Sequence, residues 1–105
     1  MFGSQDELHA PQLLDIEAVQ VLRRYALADE LDADHGRTLL THLMLLPIRR
    51  HPHQLLLPRV WALRNNLSSY DATYLALAEA LDAALLTDDK RLVTAARRHS
   101  WIRIL

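Results

Sequence analysis

Four carboxylates stand at positions that invite a chemical reading: Glu17, Asp71, Asp88 and Asp89. Glu17 lies four residues after Leu13 and four before Val21, so it interrupts the apolar stripe of a helical pattern. A buried, unpaired carboxylate is costly and either shifts its pKa or finds a partner. Glu17 therefore pairs with an Arg, sits at the edge of its stripe, or holds a metal. Asp71 closes Ser68-x-x-Asp71, the spacing of a capping box, with the acid near the positive end of a helix dipole. Capping does not exhaust a carboxylate, since one oxygen can cap while the other faces a site. Asp88 and Asp89 follow the apolar run Ala83-Ala84-Leu85-Leu86-Thr87. They suit a helix start, and they also suit the carboxyl end of a strand, where ligands gather in parallel α/β sheets. Taken together, the acids have the chemistry of a hard-cation site. Mg²⁺ is held by one or two carboxylates plus waters and phosphate oxygens, and such a cluster can orient a water for in-line attack on a phosphodiester.

Other chemistry is thinner. His51 and His53 share a face if the segment is extended, but no third ligand follows at a metal-binding spacing, so zinc is not expected. His9, His35, His42 and His99 are isolated and read as structural or surface residues. Arg49-Arg50 and Arg97-Arg98 suit RNA phosphates or, equally, a solvated surface. Trp61 and Trp101 read as core. With no Cys, disulfides and thiolate metal sites are excluded, which fits a reducing, cytoplasmic setting. Twelve Lys and Arg against 13 Asp and Glu give no bulk attraction for a polyanion; any must come from local patches. No apolar run approaches the roughly 20 residues that cross a bilayer, and Met1–Pro11 lacks the basic and apolar regions of a secretory signal.

The elements that must carry these residues fit one domain across all 105 residues. Glu7–Ala10 reads as a short strand, and Pro11 as the first turn of a helix with Leu13, Leu14, Ala18, Val21, Leu22 and Tyr25 on its inner face. That helix fades at Ala28-Asp29-Glu30. Asp32 or Asp34 caps a second helix, with Leu39, Leu40, Leu43 and Leu46 inside and Pro47 as its stop. Ile48–Gln54 is an edge strand, because Pro52 bars a central one. Leu55–Arg64 is a third helix that tolerates Pro58 in its first turn. Tyr70–Leu81, apolar nearly all round, is a buried helix. Ala83–Thr87 is a strand, Asp88–Arg98 a helix with Leu92, Val93 and Ala96 inside, and Trp101–Leu105 a closing strand. Alternation of this kind argues for an α/β domain with a small, mainly parallel sheet flanked by helices.

Three stretches carry a family resemblance: His9–Glu17, Asn66–Glu79 and Leu85–Leu92. Together they resemble the PIN-domain family, and within it the VapC-type toxins of toxin–antitoxin modules, over nearly the whole chain. The resemblance implies a PIN-like three-layer domain whose acidic cluster binds Mg²⁺ or Mn²⁺ and cleaves RNA. Carried across, Glu17 matches the acid on the early helix, Asp71 the acid opening the buried helix, and Asp89 the acid of Thr-x-Asp. Asp88, the residue between Thr87 and Asp89, is the lesser candidate. It further implies a VapB-like antitoxin covering the site, and homodimers.

The family pattern also begins with an apolar strand ending in Asp-x-Ser, followed by a helix. Neither is expected here, so the domain reads as N-terminally truncated, and Asp6, with no strand before it, is not read as a replacement. Losing that acid would weaken metal binding and activity, and losing the central strand would expose edges that pair with another chain. A non-catalytic domain that binds an antitoxin or another protomer is therefore the alternative expectation, with a generic helical adaptor behind it.

Overall fold

The computed structural model describes residues 7–105, so Asp6 lies outside it. Its described residues form an α/β fold with five α-helices and a two-stranded parallel sheet, in two compact units. One unit comprises residues 7–11 with Ile48–Leu105, and the other is Gln12–Pro47.

In the first unit, β1 (Leu8–Pro11) pairs in parallel with β2 (Ile48–His51), in register from Leu8 opposite Ile48 to Pro11 opposite His51. Parallel neighbours need a crossover of a dozen or more residues, and Gln12–Pro47 supplies it. Pro11 ends the strand with its ring fully buried; it does not open the helix, which starts at Leu13 behind Gln12. A proline needs no ladder partner for its missing N–H, so the last position of a short strand suits it.

A 3₁₀ turn at Gln54–Leu56 leads into α3 (Leu57–Ala62), with Pro58 in its first turn. Helix α4 (Ser69–Leu81) is the buried centre. Ala72, Leu75, Ala76, Leu77 and Ala78 are all buried, joined in one core by Leu56, Val60, Leu63, Leu85, Leu92, Ala96 and Ile102. The all-round apolar pattern and the burial agree. Helix α5 (Lys90–His99) is amphipathic, with Leu92 and Ala96 inside and its Lys and Arg side chains outside.

Two expected strands reduce to a single parallel bridge, Leu85 with Ile104. The Leu85 N–H donates to the Arg103 carbonyl and the Leu105 N–H to the Leu85 carbonyl, at 2.8 and 2.9 Å. Asp82, the C-cap of α4, and Asp89, the N-cap of α5, bound the Ala83–Asp88 segment that carries this bridge. Both tryptophans are 68% exposed, contrary to their reading as core. Their neighbours take the inward positions: Val60 and Leu63 beside Trp61, Ile102 beside Trp101. The Arg64 guanidinium lies over the Trp61 ring, 4.7 Å from its centroid.

The second unit is a helix pair, α1 (Leu13–Leu27) and α2 (Ala33–Leu45), joined through Asp29 in the left-handed region (φ 58°). Of the expected inner face of α1, Leu13, Leu14, Ala18 and Leu22 are half-buried, whereas Val21 and Tyr25 are exposed. On α2, Leu40 and Leu43 are half-buried and Leu39 and Leu46 exposed. Two helices alone can hide only the stripe along their shared seam. Asp32 occupies the N-cap position of α2 without a side-chain capping bond. Gly36 is the one buried residue of α2; a Cβ there would meet Leu31 Cδ2 at 3.2 Å. No described helix is long and apolar enough to cross a membrane.

Candidate functional site

Asp71 stands in the first turn of α4, half-buried. Ser68, in extended backbone, accepts the Asp71 N–H on its hydroxyl at 3.1 Å, so the helix is capped by the serine. Such a cap contributes about 1 kcal/mol. Among the described residues no hydrogen bond or ion pair engages the Asp71 carboxylate. It lies where the helix dipole favours negative charge, with both oxygens available to a ligand.

Asp89 is the N-cap of α5. Its Oδ1 accepts the N–H groups of Arg91 at 2.9 Å and Leu92 at 3.3 Å. The Thr87 hydroxyl in turn accepts the Asp89 N–H at 3.1 Å, which fixes the backbone of Thr-x-Asp. One oxygen thus holds the helix and Oδ2 is left for other work. Of the pair Asp88 and Asp89, the second is therefore the one that caps the helix. Asp88 is exposed.

Asp71 and Asp89 thus open successive helices of the same unit. Glu17 belongs to the other unit, on α1, half-buried and already engaged by a neighbouring group. Half-buried and engaged, Glu17 fits the expectation of a paired acid at the edge of its stripe. Within each unit, no three described His, Asp or Glu side chains gather as a metal-binding group. Oxygen donors of the Asp71 and Asp89 kind match Mg²⁺, which takes one or two carboxylates and fills its remaining positions with water or phosphate.

Two polar clusters have no signature in the sequence, because their members are 42 and 20 residues apart. His9 Nδ1 meets His51 Nε2 at 2.8 Å across the β1–β2 pair, and His9 Nε2 lies 3.4 Å from Glu7, which also reaches Arg49 at 3.5 Å. One assignment of protons satisfies both contacts: His51 donates to His9, and His9 donates to Glu7. Burial, His9 and Arg49 together hold the His51 imidazole below its ordinary pKa of 6.5. In the second cluster Arg59 donates to both oxygens of Glu79, at 2.8 and 3.0 Å, and to the His99 carbonyl at 3.0 Å. The Ser100 hydroxyl donates to Glu79 at 2.7 Å. The bond to Glu79 raises the Arg59 pKa above its usual range. This network ties α3, α4 and the end of α5 together.

Residues 2–98 match the model of the family described as PIN domain. VapC ribonuclease Mb0985 of Mycobacterium bovis is 48% identical over 87 residues, covering 83% of this chain and 68% of that protein. Ribonuclease VapC1 of Mycobacterium tuberculosis is 47% identical over 88 residues, 83% of this chain and 66% of its own. Ribonuclease VapC12 of the same species is 32% identical over 101 residues, 95% of this chain and 78% of its own.

Proposed function

Because the chain belongs to the PIN-domain family, we propose that it is a VapC-type endoribonuclease that cleaves RNA phosphodiesters with Mg²⁺ or Mn²⁺ at Asp71 and Asp89. The observation that carries this reading is near-half identity, over most of the chain, to proteins named as ribonucleases. The local chemistry supports it. Asp71 keeps its carboxylate uncommitted at the head of a buried helix, and Asp89 keeps one oxygen beyond the α5 cap. When bound, a divalent ion supplies positive charge against the phosphate oxygens. The chain's part is to hold two carboxylates rigidly, each on the first turn or cap of a helix rooted in the core. Glu17 is proposed as a third ligand on the family pattern. The reading further proposes a VapB-like antitoxin as protein partner, a homodimer, and a cytoplasmic setting.

The test is cleavage of a labelled single-stranded RNA with and without Mg²⁺. We expect turnover that stops with a chelator and falls roughly a hundredfold, about 3 kcal/mol of transition-state stabilisation, in Asp71→Asn. Equal cleavage by wild type, Asp71→Asn and Glu17→Gln would reject the assigned site.

A further inference from the structure

Beside α5 runs a groove of about 530 Å³, whose walls include Lys90, Arg91, Arg98 and His99 on one side and Asn65 and Asn66 on the other. Lys90, Arg91, Thr94 and Arg98 recur at helical spacing and share one face, while Leu92 and Ala96 occupy the buried one. The three cations are exposed, and among the described residues no carboxylate pairs with them. A chain with a net charge of −1 has no overall pull on a polyanion, so this stripe is a local device. At 1.5 Å per residue, Lys90 and Arg98 lie about 12 Å apart along the helix, farther than a single phosphate reaches. Each wall also leads to a proposed catalytic acid. Lys90 and Arg91 directly follow Asp89, and Asn65 and Asn66 precede the Ser68–Asp71 cap with only Leu67 between.

We propose that this groove seats the RNA backbone flanking the scissile bond. Lys90, Arg91 and Arg98 hold successive phosphates, and the Asn65 and Asn66 amides meet sugar hydroxyls or base edges. The proposal rests on the ribonuclease reading, and these are positioning residues: they set where the strand lies and leave the bond-breaking step to the acids.

The test uses the full chain in chelator, so that RNA binds without being cut. Anisotropy of a fluorescein-labelled single-stranded RNA is followed against KCl for wild type, the double variant Arg91→Gln/Arg98→Gln, and the control Arg103→Gln. The double variant is expected to bind RNAs of different sequence uniformly more weakly, with the salt slope reduced by about 1.4, roughly 0.7 for each phosphate no longer neutralised. With Mg²⁺ its KM should rise while kcat stays near that of wild type. Affinity and slope equal to wild type would overturn the groove while leaving the cleavage reading intact. A wild type that neither binds nor cuts RNA would remove both. An oligoglutamate peptide whose binding is lost in the double variant, with RNA affinity unchanged, would assign the groove to an acidic protein segment and overturn the proposal.

Discussion

Replacing Asp89 by Asn keeps an oxygen at the α5 cap but removes the charge a cation would need, and Asn caps about as well as Asp. We therefore expect Asp89→Asn to melt like wild type yet lose most RNA cleavage. Asp89→Ala should lose both, with about 1 kcal/mol of stability gone with the cap. Thermal melts beside cleavage rates separate the two duties; equal activity in Asp89→Asn would remove this acid from the site. Glu79 is a different kind of acid. Its side chain is only 7% exposed and it receives bonds from Arg59 and Ser100. In Glu79→Ala those donors lose their acceptor, and because Arg59 is still partly solvated the expected cost is about 2 kcal/mol. For a domain near 100 residues that is roughly 10 °C in melting temperature.

The β1–β2 pair carries its own pH response through His9 and His51. The folded chain binds the His51 proton more weakly than the unfolded chain does. This contribution therefore favours folding above the ordinary value of 6.5, and the advantage is lost as the pH falls below it. Protonating His51 places a positive charge in a half-buried position beside Arg49. We expect the melting temperature to drop between about pH 7.5 and about pH 5.5, and to drop less in His51→Gln. An identical drop in both would refute the link. Element by element, legibility followed locality. Helix α4 was readable because its cap, Ser68, and its apolar run are contiguous, and α5 because Asp89 and the Leu92–Ala96 spacing are. The His9–His51 and Arg59–Glu79 contacts were not, since only the fold joins residues that far apart. The expected strands at Ala83–Thr87 and Trp101–Leu105 were right in place but not in extent, since the two segments meet in a single bridge.

At the scale of the whole molecule, burial is unequal. The first unit holds the core around α4, whereas in the second Gly36 is the only buried residue in either helix. Amide protection follows such differences in burial. Hydrogen exchange should find the slowest amides in α4 and faster exchange in α1 and α2; uniform protection would contradict this. Leu75→Ala, at the centre of the core, should cost about 2–5 kcal/mol, read from denaturant unfolding. The amphipathic stripe of α1 marked a helix correctly but overstated its depth, as exposed Val21 and Tyr25 show, because the pattern cannot say how much partner surface is present. At the other helix, Ser68 caps α4 without using the Asp71 carboxylate. Silencing the chemistry at that acid should accordingly yield an intact impostor, unable to act yet presenting the same face to any shared binding partner and competing with working copies for it.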